Sequence, residues 1–340
     1  MLGAVFTELG KLELKDVPIP KIKNRDDVLL KIEVSSICGT DIQILKIPQG
    51  HPANKGIILG HEYIGRVVEI GSNVKHIKIG DRVVVDPNIT CGVCHYCRKG
   101  LPNLCENMIT LGIHIDGGFT EFNLAPAKAL YKISSNLPAE RAIFTEPLSC
   151  VLNGMKKIKP KAGETVVVIG AGPIGLYFIQ LFKLNGISKI FVIEPNEYKR
   201  SELACICGAF EEVINPLKHN PEKIIKEKTD GLGVDIVVDT VGTQLHTAIN
   251  YIQRGGRILL FGMNSTSCSE IYQNTITRYE YQIIGSFISN FTFPEAINLL
   301  ENNLLPKLNQ LITHKISLKN IHEGIELMKS GEAIEILVFP

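Results

Sequence analysis

The sequence predicts an α/β protein: a β-rich first domain followed by a doubly wound parallel sheet. Three observations carry that expectation. Up to about residue 150, short β-branched runs are broken by Gly, Pro and Asp, the pattern of an irregular, mostly antiparallel β domain. From about residue 163, strands alternate with helices, which implies parallel strands joined by helical crossovers. Between the first of those strands and the first of those helices stands G-x-G-x-x-G, formed by Gly170, Gly172 and Gly175.

In the first domain the strand runs are "DDVLLKIEVSSI" (26–37), "IGRVVEIGSNV" (64–74), "IGDRVVV" (79–85) and "FTEFNLAPAKAL" with "YKI" (119–133). In the second, "ETVVVIG" reads as a strand, "GPIGLYFIQLFKLNG" as a helix, "KIFVIE" as a strand and "NEYKRSELACICGA" as a helix. "NPEKIIKEKTDG" is helical, "VDIVVDTVG" a strand, "TQLHTAINYIQRGG" a helix, and "RILLFG" and "YQIIGSF" strands. After about 290, "FTFPEAINLLENN" and "SLKNIHEGIELMKSG" are helical and "AIEILVFP" closes as a strand. Repeats and low-complexity linkers are absent from the sequence.

With 340 residues the chain is long enough for two domains, each with a core. Hydrophobic residues at 45% and charged residues at 21% are ordinary for a globular protein, and a net charge of +1 lacks the concentrated positive field that a nucleic-acid or membrane-surface binder needs. The start, "MLGAVFTELGK", has neither a basic n-region nor an apolar core, so the cytoplasm is the expected compartment. The uncharged stretch "TVVVIGAGPIGLYFIQLF" is long enough to suggest a membrane span. Gly170, Gly172, Pro173 and Gly175 interrupt its middle, so it reads as a buried strand, a tight turn and a buried helix.

Cys91, Cys94, Cys97 and Cys105 read C-x2-C-x2-C-x7-C. The last gap is too long for a bacterial ferredoxin run, and no Pro follows Cys105. Four thiolates suit tetrahedral zinc and leave no coordination position for a substrate, so the expected site is closed and structural, in a lobe from about 88 to 110 with few apolar residues of its own. A disulfide pair with free thiols is the alternative.

The glycines of 170–175 have separate uses. The first allows a tight turn, the second lets a pyrophosphate approach the backbone, and the third permits close helix–strand packing. Glu194 ends the next strand, where a carboxylate accepts hydrogen bonds from ribose hydroxyls and repels a 2′-phosphate. That favours NAD, while Lys199 and Arg200 nearby keep NADP open. Cys38, His61, Glu62 and Glu146 have the donor types of a catalytic zinc, which takes about three protein ligands and an open position. Spacing leaves open whether the fold joins them.

"GHEYIGRVVEIGSNV" has the form G-H-E-x2-G-x5-G-x2-V and resembles the signature of the zinc-containing medium-chain alcohol dehydrogenases. "CGTD" resembles that family's catalytic cysteine segment, the four-cysteine lobe its structural zinc site, and "EPLSC" the Glu-Pro segment of its sorbitol (L-iditol) and threonine dehydrogenase branch. The order of these motifs is kept over the whole chain.

The resemblance implies a GroES-like catalytic domain over 1–152 that carries the lobe, a Rossmann domain over 153–289, and a return of 290–340 to the catalytic domain. It implies a catalytic and a structural zinc, two ions per chain. Cys38, His61, Glu62 and Glu146 would hold or approach the catalytic ion, Asp41 would orient the histidine, and Thr40 would pass the proton. The cofactor set would be Gly170, Gly172, Pro173, Ile174, Gly175, Glu194, Lys199, Val241, Phe261, Ser286 and Phe287. The implied reaction is oxidation of a secondary alcohol or polyol to the ketone, by alkoxide formation at zinc and hydride transfer to nicotinamide in the cleft between domains.

Two departures stand out. Many relatives have a histidine three residues after the threonine, and here it is Gln43, which leaves His51 as a nearby candidate for the outer relay. The Arg-Tyr pair of sorbitol-type relatives is replaced by "GSFISNFTFPEA", with Phe287, Asn290 and Phe293, which puts sorbitol itself in doubt. A homodimer or homotetramer is implied, with neither nucleic acid nor membrane as partner. A metal-free NADPH quinone-reductase-like enzyme of the same fold is one alternative. A zinc-ribbon nucleic-acid binder is another, poorly supported by Arg98 and Lys99 as the lobe's few cations.

Overall fold

The structure, a computed structural model, describes residues 1–207 and 210–340. The chain divides into two units, Met1–Ser149 with Ser289–Pro340, and Cys150–Ile288.

The first unit opens with the antiparallel hairpin of β1 (Leu2–Glu8) and β2 (Lys11–Asp16). β3 (Asp27–Ser36) follows and runs into α1 (Gly39–Ile44). β4 (Ile57–Ile58) pairs with β1, and β5 (Glu62–Ile70) and β6 (Arg82–Val85) continue the sheet of β3. The cysteine lobe holds β7 (Asn88–Ile89), α2 (His95–Arg98) and β8 (Ile109–Thr110), with β7 and β8 paired at its base. β9 (Phe122–Pro126), β10 (Leu130–Lys132) and α3 (Ala139–Ala142) complete the stretch, and α4 (Thr145–Ile158) carries the chain across the division at Cys150 into the second unit.

The second unit is an alternation of β11 (Thr165–Ile169), α5 (Pro173–Leu184), β12 (Lys189–Ile193), α6 (Glu197–Cys207), β13 (Glu212–Ile214), α7 (Pro221–Lys228), β14 (Val234–Asp239), α8 (Leu245–Ala248), β15 (Ile252–Leu260), α9 (Gln273–Tyr279) and β16 (Gln282–Gly285). Its six strands are parallel in the order β13-β12-β11-β14-β15-β16. This is the Rossmann arrangement, in which the sheet reverses direction of winding between β11 and β14 and ligands lie at the carboxyl ends of the strands. Val166, Val167 and Val168 are fully buried, which explains why β11 is a continuous apolar run and not an alternating one.

The chain then supplies α10 (Phe293–Glu301), β17 (Ile312–Ser317), α11 (Ile321–Ser330) and β18 (Glu335–Phe339) to the first unit. Its main sheet runs β10-β6-β5-β3-β18-β17. β3 is shared along its free edge, with β9 pairing Asp27 to Lys31 and β18 pairing Ser35 and Ser36. One core of this unit gathers Phe6, Ile37, Ile44, Phe119, Ile321 and Ile336, and a second gathers Val28, Leu30, Tyr63, Val67 and Val83.

One expected helix is corrected. Of "TQLHTAINYIQRGG", only Leu245–Ala248 is helical, and the strand begins at Ile252. Ile252 pairs with Val234, and a register shift carries the chain to the Ile236–Arg257 pair, so ladder pairing captures the segment that local pattern assigned to a helix. β1, β2, β4, β7, β8, β13, β17, α1, α2, α3, α4 and α9 had no counterpart in the sequence reading. The expected helix of 196–209 is helical from Glu197 to Cys207, and its last two residues lie outside the described ones. The uncharged stretch of 165–182 is a strand, a turn and a helix, and no helix among the described residues is long and apolar enough to cross a membrane.

Candidate functional site

The pairing of β3 with β5 builds the first cluster. Ser36, the last residue of β3, lies opposite Glu62, the first of β5. The Ser36 hydroxyl donates to Glu62 Oε2. Past Ser36 the chain is held to the C-terminal strand by the Ile37 N–H donating to the Ile336 carbonyl at 3.1 Å. Cys38 then caps α1, and its N–H donates to Asp41 Oδ2 at 2.9 Å. His61 stands just before β5, after Gly60, whose φ of +90° and contact with the Phe119 ring at 2.7 Å from an ideal Cβ exclude a side chain. The result is that ligand atoms of Cys38, His61 and Glu62 lie within 4.8 Å of one another.

The electrostatics of this cluster suit a cation. Burial, aided by the Glu62 charge, pushes the Cys38 thiol up to about 12. Burial also raises Glu62, with His61 and Ser36 pulling it back. For His61, burial opposes the charged ring, but Asp41 and Cys38 outweigh burial and hold it well above the ordinary histidine range. All three shifts thus favour retaining a proton in one largely buried cluster. A divalent cation displaces such protons, because its ligands bind deprotonated.

The orientation of His61 fits as well. Its Nδ1 faces Asp41 Oδ1 at 3.5 Å, and both atoms are buried without a closer partner. A carboxylate there fixes Nδ1 as the protonated nitrogen and leaves Nε2 for a metal. Sulfur, nitrogen and oxygen donors in a set of three are the composition of a catalytic zinc site.

The other expected residues fall as follows. Glu146 is buried in the first turn of α4 and lies outside the set of three. Thr40 and Gln43 lie three residues apart on α1. Gly50 donates its N–H to the Gln43 carbonyl at 2.9 Å, and His51 Nδ1 lies 2.9 Å from the Pro52 carbonyl. Phe293 is 1% exposed and stacks on Tyr131 at 5.0 Å, so it belongs to the core and not to a substrate surface. Ser36, as the donor to Glu62, had no signal in the sequence.

The second cluster is the lobe. Cys91, Cys94, Cys97 and Cys105 bring their sulfurs within 4.8 Å of one another, and all four are free thiols. The Cys91 N–H points to Cys105 Sγ and the Cys94 N–H to Cys91 Sγ, each at 3.3 Å. The N–H groups of Val93 and Cys94 pull Cys91 down to about 6, whereas burial and the neighbouring Cys94 push Cys97 up to about 12. Four sulfurs with backbone donors aimed at them are the surroundings of a tetrahedral thiolate metal site, and the disulfide alternative lacks a bonded pair.

In the second unit, the G-x-G-x-x-G turn joins β11 to α5. An ideal Cβ on Gly175 would fall 2.1 Å from the Gly170 carbonyl, so only glycine lets the helix pack there. An ideal Cβ on Gly172 meets nothing within 4 Å, which leaves open space over the first turn of α5, where Pro173 and Ile174 sit. That is the cradle a pyrophosphate needs. Glu194 follows β12. Its oxygens accept from the Ala171 and Asn196 N–H groups, both at 2.8 Å, so it ties the glycine turn to the strand end. Lys199 lies in the first turn of α6, and Arg200 donates to the Glu194 and Pro195 carbonyls. Val241, Phe261 and Ser286 follow β14, β15 and β16 at the same carboxyl edge, with Phe287 next to Ser286. Asp239 was missed by sequence reading, and it accepts from the Val241, Gly242 and Gln244 N–H groups, shaping the loop beside the turn.

Comparison with known proteins gives the family. Residues 24–135 match the alcohol dehydrogenase GroES-like domain, and residues 173–302 match the zinc-binding dehydrogenase family. The chain is 36% identical over 336 residues to an L-threonine 3-dehydrogenase of Caldanaerobacter subterraneus subsp. tengcongensis, covering 95% of this chain and 93% of that one. It is 35% identical over 331 residues to D-arabinitol dehydrogenase 1 of Uromyces fabae, covering 96% and 92%. Among solved structures, a zinc-binding dehydrogenase of Sinorhizobium meliloti 1021 bound to NADP superposes with a TM-score of 0.93 at 32% identity, covering 100% and 99%. The chain therefore belongs to the zinc-containing medium-chain alcohol dehydrogenase family, in its threonine and polyol dehydrogenase branch, and is an oxidoreductase acting on CH–OH donors.

Proposed function

We propose that the chain oxidises a secondary alcohol, a polyol or an amino alcohol such as L-threonine to the ketone with NAD, using one zinc for chemistry and one for the lobe. The observation that carries this reading is the convergence of Cys38 with the adjacent pair His61 and Glu62, more distant in the sequence, into one largely buried donor set. The division of labour that goes with it gives residues 1–152 and 290–340 to catalysis and 153–289 to the dinucleotide. The relatives' substrates, threonine and arabinitol, motivate the substrate classes. A homodimer or homotetramer in the cytoplasm is part of the same proposal.

Cys38 and His61 would hold the catalytic ion with Glu62 or Glu146, and Cys91, Cys94, Cys97 and Cys105 the structural one. When bound, zinc supplies Lewis acidity to the substrate hydroxyl, and the nicotinamide accepts a hydride. The remaining work belongs to side chains. Asp41 keeps His61 in the Nδ1–H tautomer. Ser36 keeps Glu62 oriented toward the cluster by donating to one of its oxygens. Thr40, in the first turn of α1, takes the hydroxyl proton in relay. The glycine turn and α5 hold the pyrophosphate, with Val241, Phe261, Ser286, Phe287 and Lys199 around the rest of the dinucleotide. Glu194 is buried beside that turn, and its charge disfavours a 2′-phosphate, which supports NAD as the coenzyme.

The test is reduction of NAD and of NADP by zinc-replete protein over secondary alcohols, polyols, cyclitols and L-threonine, each paired with Cys38→Ser. Activity on one class that disappears in the variant, together with one equivalent of zinc, is the expected result. Activity that survives the substitution would overturn the zinc mechanism. Preference for NADP would overturn the role of Glu194.

A further inference from the structure

Arg82 and Arg141 are both buried in the first unit, at 7% and 6% exposed, but they are partnered differently. Arg82 is neutralised and saturated. Its Nε and Nη2 donate to the Glu33 carboxylate, Nη2 at 2.7 Å, and its Nη1 donates to the Leu137 carbonyl at 2.6 Å. Arg141, in α3, has carbonyls alone. Its Nε donates to Leu300 at 2.9 Å and its Nη2 to Leu305 at 3.1 Å. Those acceptors are neutral, and no carboxylate among the described residues stands within ion-pairing reach of the guanidinium. Burial lowers Arg141 below the ordinary arginine range, with no neighbouring charge to offset it.

A guanidinium offers five N–H groups in a rigid fork. Arg141 spends the Nε–Nη2 edge on the two carbonyls. The edge made by Nη1 and the second N–H of Nη2 is left over, and such an edge takes a carboxylate through two parallel hydrogen bonds. Arg141 lines a cavity of about 490 Å³ together with Ser134, Asn136, Glu301, Asn303 and Asn309. That volume is in the range of roughly 300–1,000 Å³ common to small-ligand sites. Nη1 has no partner among the described residues yet keeps accessible surface, so the cavity reaches the guanidinium.

The end of α10 shapes this cavity. The Asn303 N–H donates to the Leu300 carbonyl at 3.2 Å and the Leu304 N–H to the Leu299 carbonyl at 3.0 Å. Asn303 takes φ of +54°, the left-handed position after a helix where glycine is usual. The turn brings Leu305 back to Arg141 and leaves Asn303 and Asn309 on the cavity wall. The side-chain amides of Asn136, Asn303 and Asn309 have no partner among the described residues. Glu301, the last residue of α10, is the second charge of the cavity. Its Oε1 accepts from the Ser134 N–H at 2.7 Å, and it pairs with no cation among the described residues, Arg141 included.

One cavity therefore carries a cation and an anion that do not neutralise each other. We propose that it binds a free α-amino acid, with the ligand carboxylate on Arg141, its ammonium on Glu301 and the asparagine amides around its polar edges. A zwitterion answers both charges. Phosphate would answer Arg141 and be repelled by Glu301, and a plain carboxylate would leave Glu301 without a partner. The site shares no residue with the Cys38–His61–Glu62 cluster or with the glycine turn, and it does not rest on the alcohol chemistry proposed above.

The test is calorimetry on the zinc-replete full chain with glycine, L-alanine, L-leucine and L-glutamate, none of which carries a hydroxyl to oxidise. Propionate and inorganic phosphate serve as references. At least one amino acid is expected to bind more tightly than both references. Arg141→Lys keeps the charge but loses the fork, and should weaken that binding by at least about tenfold. Glu301→Gln keeps an oxygen for the Ser134 N–H, and should close the gap between L-alanine and propionate. Cys38→Ser should bind as the wild type does. Absence of binding by all four amino acids, or tighter binding of phosphate, overturns the proposal, and so does wild-type affinity in either folded cavity variant. Binding that disappears in Cys38→Ser would put the ligand at the metal cluster and overturn the cavity assignment. Glu301 is exposed, so Glu301→Gln decides the question even if Arg141→Lys does not fold. Failure of the chain to oxidise any alcohol would overturn the proposed function and leave this site to be judged on amino-acid binding.

Discussion

Replacing Asp41 by Asn tests whether the Asp41–His61 contact sets up the metal site. At 3.5 Å, a full charge pair attracts by about 5 kcal/mol with an effective dielectric constant of 20, a gross figure that desolvation largely offsets. Carboxylates behind ligand histidines are worth about 10- to 100-fold in metal affinity, or roughly 1.4–2.7 kcal/mol net. The geometry gives the amide in Asp41→Asn a specific difficulty. Its oxygen would keep the Cys38 N–H, which now donates to Asp41 at 2.9 Å, and its NH₂ would then face His61 Nδ1. Two donors cannot face each other, so the ring would move its proton to Nε2 and lose its metal-binding lone pair. Chelator competition on the zinc-loaded chain reads the effect, with the four-cysteine lobe as an internal reference. One zinc equivalent should leave at about 10- to 100-fold lower chelator in Asp41→Asn, while the other stays put. Equal affinity within about twofold, in a variant whose Cys38→Ser counterpart has lost the ion, would refute the orienting role of Asp41.

Burial pushes Asp86 up to about 6 against the opposing Asn88 hydrogen bonds, so the native chain keeps this proton where the unfolded chain has lost it. Stability is therefore lost as pH rises between about 4 and 6, and Asp86→Asn should gain about 3 kcal/mol above about pH 7 and nothing below about pH 4, read as the difference in unfolding midpoint between the two proteins. Cys94→Ser should remove one zinc equivalent and make residues 88–110 protease-sensitive, since the lobe's four sulfurs replace an apolar core; metal analysis and limited proteolysis measure both. Gly175→Ala puts a methyl 2.1 Å from the Gly170 carbonyl, so NAD binding by calorimetry should weaken by at least about tenfold while the zinc content is unchanged.

What the sequence made legible depended on periodicity and on rigid motifs. The parallel strands β11, β12 and β14 are buried on both faces, and their apolar runs announced them. The glycine turn was readable because each glycine answers a separate steric demand, and the cysteine lobe because metal geometry fixes ligand spacing. The short strand β13 and the β1–β2 hairpin escaped notice because strands this short, or this exposed on one edge, leave little alternation. The helix expected at 243–256 failed for a related reason: Tyr251 and Ile252 are placed by pairing with β14, a contact local pattern does not contain. Ser36 and Asp239 are the same case in the sites. A serine at a strand end and an aspartate before a loop are ordinary in sequence, and they acquire their roles from residues 26 positions away and from the turn that follows.

The Cys38–His61–Glu62 cluster also depends on register. On β5, Glu62 points toward Ser36 and the cluster, while Tyr63 points into the opposite core, where it is 1% exposed and donates its hydroxyl to Asn123 at 2.8 Å. Side chains alternate along a strand, so a slip of one residue between β3 and β5 would put the tyrosine ring among the ligands and bury the carboxylate beside Val67 and Val83. The paired serines 35 and 36 resist that slip from the other edge, since β18 pairs with both and holds Ile37 through the Ile336 carbonyl. The last strand of the chain thus fixes where β3 ends, and where β3 ends decides which atoms Cys38 meets. Weakening β18, far from the cluster in sequence, should loosen zinc before it unfolds the sheet.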